Sequence, residues 1–270
     1  MRVKTLLKWL EHPLTRGLPL DDPRMTELHG LVIRSKAFLS RLYAEWYARL
    51  ANWLPRVPNS PGKLLEIGSG GAGGLIKEWV PDCLTSDITP GPQIDLVCDA
   101  RHLPFADGEL RGIVMVDVLH HIPDVEIFLA EAERTLQEGG RVVMLEPWNT
   151  WLSRFIYRHL HHEPFEPGHD WSFIGLGGDG PLTNANTALP WIIFERDRSK
   201  FENFFPNLAL MAVELDYPFS YLLSGGVSFR SLVSGRLFGP VRGLEKMLRC
   251  LMPRLAMFAV IILEKREGRP

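Results

Sequence analysis

The stretch Leu64-Leu65-Glu66-Ile67-Gly68-Ser69-Gly70-Gly71-Ala72-Gly73-Gly74 offers the clearest chemistry in the chain. An apolar run passes into glycines that let the backbone approach a ligand closely. The residues after it predict a helix over 73–80, whose first amide N–H groups would face that ligand. Gly68-x-Gly70-x-x-Gly73 satisfies a dinucleotide-binding spacing, and Asp87 stands at the end of the next apolar run, where an acid meets ribose hydroxyls. This spacing alone serves a nicotinamide dinucleotide as well as another adenosine-bearing ligand.

Three further groups favour a cationic ligand. Glu66 lies two residues before Gly68, where its carboxylate suits the methionine end of S-adenosylmethionine far better than a pyrophosphate. Asp99-Ala100, followed by Leu103-Pro104-Phe105, supplies an acid to accept from an adenine amino group beside apolar side chains that sandwich a ring. The run Gly112–Ile122 ends in Asp117, His120 and His121, polar groups placed where a ligand at the strand ends would meet them. Transfer of a sulfonium methyl mainly needs alignment. A histidine that removes the acceptor proton adds about 10²- to 10⁴-fold. His120 and His121 are the candidates for that base, with a hydrogen bond to loop backbone as the alternative, and as neighbours in an extended chain they are expected to point different ways.

A second cluster comprises His159, His161, His162, Glu163, His169 and Asp170. His159 and His162 would share a helix face, yet the segment's mixture of aromatics and polar groups favours an acceptor pocket over an ion, and no metal is expected. Trp148 and Trp171 suit stacking on a flat acceptor, or more commonly burial as loop anchors. Gly180 to Trp191 reads equally as a lid or a turn-rich connector.

The elements that must position these groups are visible in the periodicity. From Thr26 to Leu54 apolar residues recur every three or four positions, an amphipathic helix with room for one break, stopped by Pro55, Pro58 and Pro61. Short apolar runs then alternate with helical ones. Strands are expected at Lys63–Ile67, Cys83–Ile88, Ile94–Cys98, Gly112–Val118 and Arg141–Glu146, with a helix from Val125 to Gln137 ended by Gly139 and Gly140. That alternation implies a mostly parallel sheet covered on both faces. After Glu146 regularity fades for about sixty residues rich in aromatics. Strands return at Leu208–Leu215 and Arg254–Lys265. Between them Tyr217–Met252 mixes apolar residues with Arg230, Arg236, Arg242, Lys246 and Arg249, compatible with a lipid-like acceptor or a membrane surface, although packing over the sheet or against a second subunit is favoured.

Composition removes several classes. With 270 residues, 46% of them hydrophobic, and a formal charge of -2, the chain suits one main α/β domain and lacks the overall field that draws proteins to nucleic acid. Cys83, Cys98 and Cys250 lack zinc-ribbon spacing and fit a reducing compartment. The opening MRVKTLLKWLEHPLTRG breaks its apolar run too early for a signal core and reads as uncleaved and cytoplasmic. No run is long enough to span a bilayer as a helix.

Taken in order, Glu66-Ile-Gly-Ser-Gly70, Ser86-Asp87-Ile88, Asp99-Ala-x-x-Leu-Pro-Phe105, Val118-Leu-His-His-Ile122, Leu136-Gln-Glu-Gly-Gly-Arg141 and Glu146-Pro147 resemble the successive motifs of class I S-adenosylmethionine-dependent methyltransferases. The likeness covers about residues 62–147 and is greatest to the small-molecule type of quinone biosynthesis. It implies a Rossmann-like, mostly parallel seven-stranded sheet with an antiparallel last strand. An N-terminal helical segment (1–60) would precede a methyltransferase domain (61–270), with an acceptor-pocket insert (148–206) after the fifth strand. It also implies that Glu66, Gly68, Ser69 and Gly70 surround the methionine and ribose, and that Asp87 holds the ribose. Ile88 would pack on the adenine, Asp99 and Ala100 would read its edge, and Asp117 would lie near the methionine amino group. The family's third glycine falls at position 72, which is Ala72 here. The expected acceptor is a small or lipid-linked molecule, with room for peripheral membrane contact or a homodimer. Rival readings are an NAD(P)-dependent oxidoreductase, for which no Tyr-x-x-x-Lys pair is present, and a non-catalytic S-adenosylmethionine-binding protein.

Overall fold

The computed structural model describes residues 10–55, 62–72, 74–178 and 180–266. Gly73, Pro58 and Pro61, and most of the opening segment read as uncleaved, lie outside the described residues.

The first amphipathic stretch forms two helices, α1 (Met25–Ser35) and α2 (Ala37–Trp53). The break is at Lys36, whose backbone is extended (φ -102°, ψ 98°). Its ammonium is drawn inward to donate to the carbonyls of Gly226 (2.5 Å) and Phe229 (2.7 Å). The three-to-four spacing of Phe38, Leu39, Leu42, Tyr43, Trp46, Tyr47 and Leu50 gives α2 one continuous buried stripe.

Seven strands follow: β1 (Lys63–Ile67), β2 (Cys83–Asp87), β3 (Leu96–Val97), β4 (Leu110–Val116), β5 (Leu136–Pro147), β6 (Leu208–Asp216) and β7 (Phe258–Lys265). They lie in the order β3-β2-β1-β4-β5-β7-β6. The first five pair in parallel, and β7 runs antiparallel between β5 and β6. The seven-stranded, mostly parallel sheet with a reversed last strand is thus present. Strand order reverses at β1 and β4, and the crevice beyond their carboxyl ends is where such a sheet binds ligands.

The helix expected over 73–80 does not form; a single 3₁₀ turn, Leu75–Glu78, takes its place. Gly74 is left-handed (φ 73°), and Pro81 disfavours helical backbone at the residue before it, so the segment is stopped at both ends. Helix α3 (Val125–Thr135) ends two residues before the expected Gln137, because Leu136 is already extended at the start of β5. The irregular stretch after β5 contains a further helix, α4 (Trp151–Leu160), opened by a capping box between Thr150 and Ser153. Besides shorter helical turns, two further helices of seven residues or more follow, α5 (Arg198–Phe204) and α6 (Phe238–Met247), and the expected strand start at Arg254 is a helical turn, Met252–Leu255.

The N-terminal helices share their core with the sheet. Trp46 packs on Tyr217, Tyr221 and Phe258, with ring centroids 5.3–5.8 Å apart, so α2 is joined to the end of β6 and to β7. Arg242 of α6, buried, reinforces this face by pairing with Glu45, Asp216 and Glu245. Glu245 in turn accepts from the amides of Phe219 and Ser220 and from the Ser220 hydroxyl.

Candidate functional site

A cavity of about 830 Å³ opens at the carboxyl edge of β1, β2 and β4. That is near the upper end of the ~300–1,000 Å³ usual for small-molecule sites, room for a nucleoside and a second reactant. The sheet edge makes the floor, α1 and the residues before it the roof, and the segments 161–163, 180–184 and 221–232 the remaining walls.

The glycine turn is shaped by close approach. Gly68 has φ 74°, and a Cβ there would sit 2.3 Å from Val118 Cγ2. At Gly70 a Cβ would lie 2.2 Å from Thr26 Cγ2 of α1 and 2.7 Å from Asp87 Oδ2, so the turn is clamped between the roof and the end of β2. Asp87 completes the cradle. Its Oδ2 accepts from the Gly70 amide at 3.0 Å, and its Oδ1 accepts from the Thr89 amide and hydroxyl at 2.9 and 2.8 Å.

Glu66 stands elsewhere than the sequence suggested. Its carboxylate lies behind the turn, buried, accepting from Tyr47 Oη (2.5 Å) and Ser69 Oγ (2.6 Å). Alternation along β1 accounts for this: Ile67 reaches the cavity wall, so Glu66 must face the opposite layer, where α2 packs. Burial pushes its carboxyl up to about 7 despite those two hydrogen bonds. Ser69 belongs to the same buried support, its hydroxyl spent on Glu66.

Ile88, half exposed, and Ala100 line the cavity next to Asp87 and Asp99. Asp99 has a partner that the motif did not foretell: Arg101 grips it through Nε (3.1 Å) and Nη2 (2.7 Å) and also reaches Asp124 at 3.3 Å. That guanidinium holds Asp99 below the usual carboxylate range. Asp117, at the end of β4, is one of two non-glycine residues with positive φ among those described (φ 62°). It lines the cavity, its carboxylate meets no hydrogen-bond donor of the described residues, and burial raises it to about 7. A left-handed aspartate costs conformational energy, so its orientation toward the cavity is imposed by the surrounding fold.

His120 and His121 were expected to diverge, and they do not. They lie on a 3₁₀ turn, Leu119–His121, where the strand alternation no longer applies, and their rings stand 4.2 Å apart. His120 is buried, its Nδ1 2.8 Å from Glu146 Oε2, while Glu146 Oε1 accepts from the amides of Val118 and Leu119. Glu163 meets both rings from the insert, 3.4 Å from His120 Nε2 and 3.8 Å from His121 Nε2. Burial works against the charge of His120, but its bond to Glu146 and the nearby Glu163 carboxylate outweigh it and hold the imidazole well above its ordinary value. Burial lowers His121 to about 4, leaving a neutral ring at the cavity wall.

Of the second histidine cluster, His161, His162 and Glu163 reach the cavity. His159 does not share a helix face with His162, because α4 ends at Leu160 and His161 is extended; its ring lies tilted against Phe155 at the surface. The insert is pinned to the sheet edge where Asn186 N–H donates to the His120 carbonyl (2.9 Å), and is braced internally where Thr187 N–H donates to that of Pro164 (3.0 Å). Trp148 and Trp171 are buried, and Trp171 Nε1 donates to Asp197 at 3.0 Å. Asp21, unmarked by any motif, latches the roof to the opposite wall: it accepts from the amides of Leu182 (2.9 Å) and Thr183 (3.2 Å) and from the Thr183 hydroxyl (2.5 Å). Tyr47 had a readable signal. A tyrosine on a buried helical stripe needs a partner for its hydroxyl, and the acid at the end of β1 was the one within reach.

Comparison with known proteins agrees with this fold. Residues 65–144 match the family model described as a methyltransferase domain. Two curated relatives are both named ubiquinone/menaquinone biosynthesis C-methyltransferase UbiE. That of Desulfotalea psychrophila is 42% identical over 50 residues, 18% of this chain and 20% of the relative. That of Cellvibrio japonicus is 37% identical over 60 residues, 21% and 24% respectively. The aligned segment thus spans between a fifth and a quarter of each relative's length. Among solved structures, geranyl diphosphate C-methyltransferase from Streptomyces coelicolor A3(2), crystallised with Mg²⁺, geranyl diphosphate and S-adenosyl-L-homocysteine, superposes with TM-score 0.50 at 13% identity, covering 95% of this chain and 89% of that one. A geranyl diphosphate methyltransferase in complex with S-adenosylmethionine gives TM-score 0.50 at 16% identity over 92% and 93%. At these identities the two superpositions establish the shared fold.

Proposed function

From a methyltransferase domain in its central segment and a class I methyltransferase fold around it, we propose that this chain transfers a methyl group from S-adenosylmethionine to a small or lipid-linked acceptor. The observation that carries the reading is the cradle itself: a glycine turn closed against Asp87, with the donor-free carboxylate of Asp117 beside it and only a four-residue 3₁₀ turn beyond. Carboxylates suit a cationic nucleoside. A pyrophosphate would want the amide-rich start of a full helix, and the described residues supply none there.

In this assignment Gly68 and Gly70 admit the ligand close to backbone, while Asp87 accepts from ribose hydroxyls. Asp117 pairs with the methionine ammonium. Ile88 packs on the adenine, and Asp99, fixed by Arg101, accepts from its amino group beside Ala100. Glu66 and Ser69 act from behind, holding the turn in shape through Tyr47. When bound, S-adenosylmethionine supplies a sulfonium methyl that needs no further activation, so the residues' task is alignment. His121 faces the acceptor side and is placed to take its proton, and His120 is placed to orient that corner through Glu146 and Glu163.

Ile156, Leu160 and Leu222 support an apolar acceptor. Peripheral membrane contact, ahead of a homodimer, is supported by exposed Leu237, Leu244, Met247 and Leu251 interleaved with exposed Arg236, Lys246 and Arg249. No helix of the described residues is long and apolar enough to cross a membrane. Three free cysteines support a reducing, cytoplasmic location.

Calorimetric titration with S-adenosylmethionine, S-adenosylhomocysteine and NAD tests the reading. Micromolar binding of both sulfur ligands is expected, weakened by about 1–3 kcal/mol in Asp87→Ala. Binding of NAD with failure of both sulfur ligands would overturn it.

A further inference from the structure

Glu163 is a hub for histidines. Besides His120 (3.4 Å) and His121 (3.8 Å), its carboxylate lies 3.7 Å from His161 Nδ1 and 3.6 Å from His162 Nε2. Every one of these separations is longer than a well-formed hydrogen bond, whose heavy atoms approach to about 2.7–3.2 Å. The separations from His120 (3.4 Å) and His162 (3.6 Å) match another arrangement, which those from His161 (3.7 Å) and His121 (3.8 Å) slightly exceed. Two donors each held about 2.0–2.2 Å from one ion at tetrahedral angles stand roughly 3.3–3.6 Å apart. A ring nitrogen of His120, a ring nitrogen of His121 and a Glu163 oxygen all lie within 4.8 Å of one another.

The surroundings are built for coordination. Glu146, fully buried, accepts from two amides through one oxygen and holds His120 Nδ1 through the other, which turns the Nε2 lone pair toward Glu163. A carboxylate behind a histidine is the usual outer support of a metal ligand, setting its tautomer and ring orientation. Glu163 is fixed as well, since Pro164 is bonded by both the amide and hydroxyl of Thr187. His121 and Glu163 line the cavity, so an ion between them would keep a coordination position open to a reactant. Two imidazoles and one carboxylate suit zinc and its first-row neighbours, whereas Mg²⁺ and Ca²⁺ favour oxygen throughout.

We propose that His120, His121 and Glu163 bind a divalent first-row transition ion, with Zn²⁺ as its representative, Glu146 as the positioning residue behind His120, and the open position directed at the acceptor side of the cavity. The site stands whether or not the cofactor is S-adenosylmethionine. With the ion in place His121 is a ligand, and acceptor activation passes from its ring to the metal, which lowers the pKa of a bound hydroxyl.

The test uses the full chain, free of any affinity tag and dialysed against chelator, titrated calorimetrically with Zn²⁺ and Mg²⁺ and followed by visible absorption on adding Co²⁺. One Zn²⁺ per chain at micromolar or tighter affinity is expected, with Mg²⁺ far weaker. Glu163→Gln and His121→Ala should each weaken Zn²⁺ by ~100-fold or more and remove the Co²⁺ bands, and Glu146→Gln should weaken it ~10- to 100-fold. His159→Ala, at the surface against Phe155, should leave affinity unchanged. Circular dichroism establishes that each variant folds, and Glu163→Asp, which shortens the ligand and keeps its charge, serves if Glu163→Gln does not. Binding only at millimolar Zn²⁺, Mg²⁺ preferred over Zn²⁺, or a Zn²⁺ affinity indifferent to both Glu163→Gln and His121→Ala would overturn the site. S-adenosylhomocysteine titrated into the same samples keeps the cofactor reading separate.

Discussion

Gly70→Ala isolates the cradle from general stability. Gly70 is not in the left-handed region, so alanine there suffers only from what its methyl meets: Thr26 Cγ2 at 2.2 Å and Asp87 Oδ2 at 2.7 Å. Carbon atoms pack at about 3.5–4.0 Å, so a displacement of more than 1 Å is unavoidable. If Asp87 swings aside, its bond with the Gly70 amide and its ribose-facing position are lost together. A hydrogen bond to a charged group contributes about 1.5–3 kcal/mol, so affinity for S-adenosylhomocysteine should fall by ~10- to 100-fold. Overpacking against α1 should separately cost about 1–3 kcal/mol of stability. Thr26→Ser removes the closer of the two contacts. In the double variant Gly70→Ala/Thr26→Ser, stability should recover while affinity stays low, because Asp87 is still displaced. Calorimetry and urea unfolding on the four proteins read both quantities. Gly70→Ala binding within threefold of the parent, or recovery of affinity with Thr26→Ser, would refute the assignment of Asp87 to the ligand.

Glu66 makes stability depend on pH. Its folded value of about 7 lies above the ordinary 4.5, so the fold favours the neutral carboxyl; that contribution is whole below about pH 4.5 and is lost as pH rises through 7. Urea unfolding at pH 5 and pH 8 should show the parent losing about 2–3 kcal/mol relative to Glu66→Gln, and parallel pH profiles would dismiss the explanation. Arg242→Met leaves Asp216 and Glu245 without their shared cation and should destabilise by about 3–5 kcal/mol; a loss under about 1 kcal/mol would mean that the cluster is solvated. Asp21→Ala unlatches the roof from Leu182 and Thr183, and stopped-flow should record faster release of S-adenosylhomocysteine, several-fold, at a stability cost of about 1 kcal/mol. Unchanged release would mean that ligand leaves by another route.

The sheet was legible because its runs are short, apolar and separated by glycine, proline or a helical period, signals that act over a few residues. Lys63–Ile67 and Cys83–Asp87 lie within a residue of their expected bounds for that reason. Asp87, Asp99 and Asp117 line the cavity because each lies at or within two residues of a strand end, and strand ends converge in this topology. The misreadings share a different cause. A helix over 73–80 was inferred from what a glycine turn usually precedes, although Pro81 already stood against it. Alternation with Ile67 turns Glu66 away from the cavity, and His120 and His121 stand four and five residues past the end of β4, where strand alternation no longer holds. Asp21 and the meeting of Glu163 with His120 depend on contacts between segments far apart in the chain, which no local pattern carries, whereas Arg101 stands only two residues from the Asp99 that it grips.

The partners of α2 have a consequence for how the protein is made. Trp46 leaves the ribosome about 170 residues before Tyr217 and about 210 before Phe258, the rings that cover it. At roughly 5–20 residues per second, its indole and the apolar stripe around it wait on the order of 10–40 s for their cover. Until β7 slots between its neighbours, a nascent chain carries a sticky, half-clad helix, and dependence on holdase chaperones during synthesis follows from that delay.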